Sequence, residues 1–370
     1  MLIVNFVSNL VFGGTLSSLF SAMGKLQIMV HLLITSVNIP PNAQVYFSGL
    51  LKLVTYEIYD FEVFYRKWFN LTDTEDLNQN FVALGYHSVY FIINLSNMVF
   101  ICLFILASLL FIAATSCLVS NRYVQIVRTK AKKFIMWNFV LGFLNEAYII
   151  FALSCFMQIK HLHFKTHGEA FNSLLAFIAA AILVFTPFNN LRLLLKHKDR
   201  LDNKAFFEKY SEVYDTLNYK KNRTLPVLIE PTLSQLRILL MAFALIYLEK
   251  HCFFQIAINN MLVTFIIIHS KWFDVFTEFD YRFFQAFNEC FVCIINYHML
   301  CFADLVTDSA TLNLIGYSAI FTITVNLTIN FGFILVTNVK EVIKKFKTKY
   351  YNKKIARLKK SIAKKQIMQL

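Results

Sequence analysis

Long runs of apolar side chains decide what this chain can fold into. A helix needs about 20 apolar residues to cross about 30 Å of hydrocarbon, and in lipid a helix satisfies its backbone hydrogen bonds internally. Runs that meet or approach this length lie at residues 10–38, 85–119, 134–158, 169–190, 233–248, 253–270, 284–303 and 313–338. The sequence therefore predicts an all-α fold, a polytopic bundle of about eight transmembrane helices.

The composition disfavours an enzyme with a nucleotide cofactor. Hydrophobic residues make up 57% of the chain and charged residues 16%, against about 45–50% and about 25% in soluble domains. Nine Gly are too few and too scattered for the glycine-rich loops of nucleotide-binding or hydrolase folds. His161 and His163, with His167 nearby, are the best metal ligands on offer, but ordinary loop histidines explain them better. We therefore predict no catalytic set, no cofactor and no metal.

The positive charges predict how the chain is oriented. Loops after the second, fourth, sixth and eighth runs hold 28 Lys and Arg, whereas those after the first, third, fifth and seventh hold 6. Positive residues favour the cytoplasmic side in short loops, so we expect the C-terminus in the cytoplasm. The net charge of +14 thus belongs to loops and tail, and nucleic acid is not an expected partner. The sequon at Asn70 falls outside the cell and is predicted to be glycosylated.

These observations divide the chain into six segments. They are a first hydrophobic segment of one or two spans (1–42), an extracellular juxtamembrane segment (43–84), a group of three spans (85–190), a cytoplasmic insertion (191–232), four C-terminal spans (233–338) and a basic cytoplasmic tail (339–370).

Three connecting segments carry patterns of their own. Residues 43–57 suit either a helix in the membrane interface or a helix packed on the bundle. The mixed charges of residues 191–232 suggest a solvated helix that Pro226 and Pro231 end before the next span. The basic tail has a helical apolar stripe, so it either lies on anionic inner-leaflet lipid or pairs with a partner helix.

Ionisable and amide side chains inside the spans are the candidate functional residues, because leaving a charge in the bilayer costs about 2.5 kcal/mol or more. Glu146 and Arg237 are predicted to pair within the membrane. A second set is predicted to line an ion path or its outer mouth: Glu289, Asp304, Asp308, Asn326 and Asn330. The alternative for each of them is a structural hydrogen bond between helices.

A series of short motifs along the chain resembles a known protein family. They are Leu26–His31, Asn38–Asn42, Phe81–Ser88, Phe287–Glu289, Tyr297–Met299 with Phe302 and Asp304, Ile315–Tyr317, and Asn330. Together they resemble the TRP-like C-terminal membrane module of large ciliate surface proteins. The resemblance implies a bundle similar to transient receptor potential and polycystin channels, in the plasma or ciliary membrane, with a voltage-sensor-like group of four helices and a later pair that would form a pore.

One departure from that pattern shapes the functional hypotheses. Only about nine residues, Asp304–Leu312, join the last two runs, too few for a re-entrant filter. Our first hypothesis is a non-enzymatic TRP-like subunit or anchor of a larger cell-surface or ciliary assembly, in contact with membrane lipid and with partner membrane or extracellular subunits. The alternative is a cation-permeable channel subunit.

Overall fold

A computed structural model defines the architecture. It describes residues 24, 26–54, 61–72, 77–95, 103, 106–108, 110, 112–114, 140–277 and 279–367. Two compact units are distinguished, one of residues Met23–Asn326 and one that includes Leu327–Leu370.

Helices dominate the described ranges, as predicted. They are α1 (Pro41–Val54), α2 (Glu62–Phe69), α3 (Gln79–Ala83), α4 (Phe91–Asn94), α5 (Val140–Glu146), α6 (Tyr148–Lys160), α7 (His167–Lys196), α8 (Lys204–Tyr214), α9 (Leu225–Leu228), α10 (Glu230–Tyr247), α11 (Cys252–Trp272), α12 (Phe279–Leu300) and α13 (Ser309–Ile367). Short 3₁₀ or π-helical turns lie at Leu32–Ile34, Lys198–Arg200 and Cys301–Leu305.

Four stretches of the described chain are long and apolar enough to cross a membrane. They are His167–Lys196, Cys252–Trp272, Tyr281–Leu305 and Ser309–Phe333. They coincide with the predicted spans 169–190, 253–270, 284–303 and 313–338. The chain is therefore a helical integral membrane protein.

The other four predicted spans are not among these four stretches, and their described parts have the following structure. The run 233–248 forms α10, and the run 134–158 is described from residue 140 as α5 and α6, with a bend at Ala147. The run 85–119 begins late, because residues 86–90 are not helical and α4 starts at Phe91. Most of the run 10–38 lies outside the described residues, and its described helix gives way to a 3₁₀ turn at Leu32. The total of eight spans stays a prediction.

The helices pack in an order that follows the chain closely. α6 packs against α7 and α10, α10 also packs against α11, and α11 packs against α12. Ala152, Ala242 and Ala244 are fully buried in these contacts. Small residues let helix backbones approach closely, which matters in lipid because lipid tails are as apolar as the helix surfaces.

Pro187 lies inside α7, where it needs a partner from another helix. Proline has no N–H, so the carbonyl of Leu183, four residues earlier, loses its usual intrahelical donor. The hydroxyl of Tyr148 in α6 donates to that carbonyl at 2.6 Å. The Pro187 carbonyl in turn accepts from Thr232 Oγ1 of α10 at 2.9 Å. The proline thus ties three helices together.

Tyr148→Phe is expected to destabilise the protein by about 1–3 kcal/mol, because it leaves the buried Leu183 carbonyl unpaired. The matched background is Pro187→Ala, whose restored N–H takes over that carbonyl. In this background the same Tyr148→Phe change is expected to cost less than half as much. Thermal unfolding of the four proteins in one detergent measures both costs, and equal costs would contradict the explanation.

Residues 191–232 form a small apolar core rather than a simple solvated helix. The buried side chains are Leu194, Leu201, Val213, Tyr214, Leu217, Tyr219, Val227 and Leu228, together with Val275 and Phe276. The prediction that Pro226 and Pro231 end a helix is wrong. Each lies in the first turn of a helix, α9 and α10 respectively, where a missing N–H costs nothing because it would be unpaired anyway.

Glu212 in α8 makes this core sensitive to pH. Burial raises the pKa of its carboxyl from 4.5 to about 7, and the nearby Asp215 carboxylate adds to the shift. The folded state therefore holds a proton that the unfolded state has lost, so stability falls as the pH rises from about 4.5 through about 7. We expect Glu212→Gln to abolish this fall and to stabilise the protein by about 1–2 kcal/mol at about pH 8.

Unfolding of the purified chain at several pH values between those limits tests this expectation. The control is Asp199→Asn, which neutralises an exposed acid of the same segment and should leave the pH dependence as it is. Parallel stability curves for Glu212→Gln and the parent protein would rule the explanation out.

α1 packs on α13. Packing on the bundle was one of the two alternatives predicted for residues 43–57. Its Phe47 and Leu51 are buried, Asn42 Nδ2 donates to the carbonyl of Asn313 at 2.9 Å, and the Tyr46 hydroxyl lies 2.7 Å from Thr324 Oγ1. A β-carbon at Gly316 would lie 2.5 Å from Asn42 Oδ1. The absence of a side chain there allows the close contact.

Loops that were predicted to share a side of the membrane do contact one another. Lys160 Nζ lies 2.7 Å from Glu249 Oε2. At the same predicted side, Ser36 near the end of the run 10–38 donates its N–H to Gln255 Oε1 near the start of the run 253–270, at 3.1 Å. On the opposite predicted side, Asn218 Nδ2 donates to the carbonyl of Asp274 at 3.1 Å. These contacts agree with alternating crossings, and the cytoplasmic position of the C-terminus remains a prediction.

Candidate functional site

A buried ion pair lies within the bundle. Arg237 Nη1 of α10 donates to both carboxylate oxygens of Glu289 in α12, at 2.7 and 2.6 Å. The side chains are 4% and 0% exposed. Gln285, one turn earlier in α12, donates to Glu289 Oε1 at 3.1 Å. A charge in this environment is tolerable only when it is paired and hydrogen-bonded.

The predicted pairing of Arg237 with Glu146 stays a prediction. Both bonds that the structure gives the Arg237 side chain go to Glu289, and the Glu146 side chain lies outside the described part of the chain. On α5 it is the neighbouring Asn145 that reaches α10, since its Oδ1 accepts from Gln235 Nε2 at 2.7 Å.

Asp304 and Asp308, the predicted outer mouth, lie at the junction between α12 and α13. Asp304 has a left-handed backbone (φ 59°), and its Oδ1 accepts from Asn38 Nδ2 at 3.0 Å. Asp308 Oδ2 accepts from the Thr311 hydroxyl at 2.6 Å and from its N–H at 2.8 Å. These two bonds lower the pKa of the Asp308 carboxyl. Asp308 therefore caps α13, and Asp304 fixes the turn before it.

Both residues of the predicted amide pair on the last span are buried. Asn326 Nδ2 donates to Asn288 Oδ1 of α12 at 2.8 Å, and both side chains are buried. Asn330 follows one turn later in α13, and its side chain is buried too. The contact of Asn326 with Asn288 is the interhelical hydrogen bond that was the alternative to an ion path.

A second amide cluster was not singled out by sequence reasoning. Gln158 Oε1 accepts from the N–H of Phe91 at 3.3 Å, and Asn172 Oδ1 accepts from the N–H of Ile92 at 2.9 Å. These amides are the first of α4, which have no partner within their own helix. Asn172 also donates to Gln158. In the sequence, Gln158 and Asn172 are polar residues within the apolar runs 134–158 and 169–190. That was the signal from which the cluster could have been predicted.

Some buried amides have no partner. Both polar atoms of the Asn296 side chain in α12, and Nδ2 of Asn259 in α11, are buried without a hydrogen bond. The same holds for Arg237 Nη2. Buried groups of this kind usually bind ordered water. The interior therefore combines satisfied contacts with a few groups that can take up water.

Potential metal ligands are scattered over the described part of the chain. Within them, no three His, Cys, Asp or Glu side chains lie close enough together to hold a metal ion. Asn70, the predicted glycosylation site, is exposed at the C-terminal end of α2. Comparison of the chain with models of protein families, with curated proteins and with solved structures finds no match.

Proposed function

We propose that the chain is a non-enzymatic, TRP-like membrane subunit or anchor of a larger cell-surface or ciliary assembly. One observation supports this proposal above all: α12 with its terminal turn and α13 are connected by residues 306–308 alone. Three residues reach about 10 Å at full extension, whereas the hydrocarbon is about 30 Å thick. A re-entrant filter does not fit in this connection.

The charged groups near this connection support the same proposal. Asp304 and Asp308 are engaged by Asn38 and Thr311, and Glu289 is neutralised by Arg237. Carboxylates that serve a cation path need to face water and remain free to bind the ion. In the structure Asp308 caps its own helix α13, Asp304 accepts from Asn38, and Glu289 joins α12 to α10, so each carboxylate already has a structural hydrogen-bond partner.

The predicted basic tail gives the anchor a second attachment. α13 continues as a helix to Ile367, and 12 of the chain's Lys and Arg follow residue 339. A helix of this charge binds anionic inner-leaflet lipid, at about 1 kcal/mol for each basic residue near the surface. Partner subunits would contact the spans or the outer segments.

Two measurements test the proposal. The first is cation flux through the purified chain in liposomes, which we expect to equal that of empty liposomes, with Asp304→Ala and Asp308→Ala indistinguishable from the parent. The second is the structure of the complex purified from its native membrane, in which we expect other chains against the spans or outer loops. A lone symmetric tetramer with a central water path would contradict the proposal.

The cation-permeable channel remains the second candidate, favoured by the unpartnered amides of Asn259 and Asn296. Amide groups that bind water inside a membrane can line a polar path. The channel predicts a cation flux that Asn296→Leu reduces several-fold, while Asn203→Leu, which changes an exposed amide outside the spans, leaves it unchanged. Flux that is absent from the parent protein would count against this candidate.

A further inference from the structure

A groove lies where α2 meets the first turn of α7. It has a volume of about 620 Å³ and is lined mainly by Trp68, Phe69, Phe164, Lys165, His167 and Phe171. Small-molecule sites in proteins usually measure about 300–1,000 Å³. The stretch His167–Lys196 is one of the four able to cross a membrane, so the groove lies where a span enters the lipid.

The apolar wall of this groove is exposed and continuous with the span. Trp68 is 68% exposed and Phe164 62%. Further along α7, the side chains of Phe171 and Leu174 are exposed as well. Trp side chains concentrate at the level of the lipid headgroups, because the indole ring is largely apolar but carries one polar N–H. The wholly apolar Phe rings suit the adjoining acyl chains.

The exposed side of α2 is also largely apolar. Val63 and Phe64 are exposed, whereas Tyr65 is buried against the bundle. Lys67, on the exposed side of this helix, has a long stem that can reach headgroups while its apolar neighbours stay in the lipid. α2 is thus an amphipathic helix of the kind that lies in a membrane interface.

The groove has the charge that a phosphate requires. Its lining includes Lys165 and His167 and contains no Asp or Glu. The nearby Glu169 carboxylate is buried, where it accepts from the N–H of Lys165 at 2.7 Å and from the N–H of Thr166 at 3.2 Å. Glu62 is likewise paired with Arg66 at 2.6 Å. The ammonium of Lys165 is therefore the permanent charge in the lining of the groove.

From these observations we infer that the groove between α2 and α7 is a binding site for one phospholipid of the leaflet at this end of the bundle. The phosphate lies beside Lys165, and the acyl chains run along Phe171 and Leu174 on the exposed side of α7. Trp68 and Phe164 flank the glycerol region. The site holds α2 at the membrane surface.

Tryptophan quenching in the full-length chain tests the position of the groove. The chain has three Trp, so Trp137→Phe with Trp272→Phe leaves Trp68 as the sole reporter. In phosphatidylcholine nanodiscs we expect lipid brominated near the headgroup to remove about half of the Trp68 emission, as for an interfacial aromatic. Quenching by aqueous iodide, without quenching by brominated lipid, would overturn the inference.

Native mass spectrometry of retained phosphatidylcholine tests the phosphate contact. Lys165→Gln is expected to weaken retention of the bound lipid about fivefold, which corresponds to about 1 kcal/mol, because a charge-assisted bond to the lipid phosphate is lost. The control, Lys250→Gln, removes an exposed Lys that lies outside the groove and should retain lipid like the parent. Equal retention by Lys165→Gln and the parent would overturn the site.

A glycan on Asn70 is the competing occupant, because Asn70 also lines the groove. Asn70→Gln removes the sequon. If lipid fills the groove, the variant from a glycosylating host shows the same Trp68 quenching by brominated lipid as the parent. A rise in quenching would show that the glycan had kept lipid out and would overturn the inference.

Discussion

Arg237→Met is expected to destabilise the protein by about 3–5 kcal/mol, because it leaves the carboxylate of Glu289 buried without its cation. Glu289→Leu is expected to cost a similar amount, since the Arg237 guanidinium then lies unpaired between helices. The two side chains are 4% and 0% exposed, so neither can turn to water without moving α10 or α12.

A double variant measures the interaction between Arg237 and Glu289 apart from the effect of each single substitution. Arg237→Met combined with Glu289→Leu replaces both charges with apolar groups of similar size, and it is expected to recover most of the lost stability. Chemical unfolding of the parent, both single variants and the double variant in the same detergent gives the coupling energy directly. A double variant as unstable as the sum of the single variants would show that the ion pair carries no special interaction.

Gly168→Ala is expected to be the most disruptive single-methyl change, with a cost of about 3 kcal/mol or more, as for overpacking in a close contact. A β-carbon there would lie 1.8 Å from the carbonyl oxygen of Phe69. That oxygen belongs to the backbone of α2, so the clash cannot be relieved by a change of side-chain rotamer. The substitution has to separate α2 from α7.

The matched control is Gly49→Ala in α1, where a β-carbon would meet nothing within 4 Å. Because Gly is a poor helix former, this change is expected to stabilise the protein by about 0.5–1 kcal/mol. Melting temperatures of the two variants should therefore shift in opposite directions. A Gly168→Ala protein as stable as the parent would mean that α2 does not approach α7 as closely as the structure indicates.

The sequence predicted the existence of the apolar helices better than the residues at which they begin and end. Four predicted spans coincide with helices able to cross a membrane, because about 20 apolar residues have few alternatives in lipid. The run 85–119 starts late because residues 86–90 follow other contacts, among them a hydrogen bond from the N–H of Tyr90 to Ser88 Oγ. Such a bond competes with helical geometry but leaves no trace in hydropathy.

The partners of polar residues were the least predictable part of the candidate site. Arg237 was expected to bind Glu146, and its described bonds go to Glu289, 52 residues away in the sequence. The resemblance to TRP-like modules, the outer position of Asn70 and the number of spans remain predictions.

What the amino-acid sequence determined by itself is that this chain forms apolar helices in a membrane, because burial of backbone groups in lipid permits little else. Only the tertiary structure decided which polar groups meet, such as Tyr148 with the Leu183 carbonyl and Arg237 with Glu289. Helix formation depends on neighbours within a few residues. Interhelical contacts depend on the rotation and depth of each helix, which a rotation of about 100° per residue makes sensitive to every bend and turn.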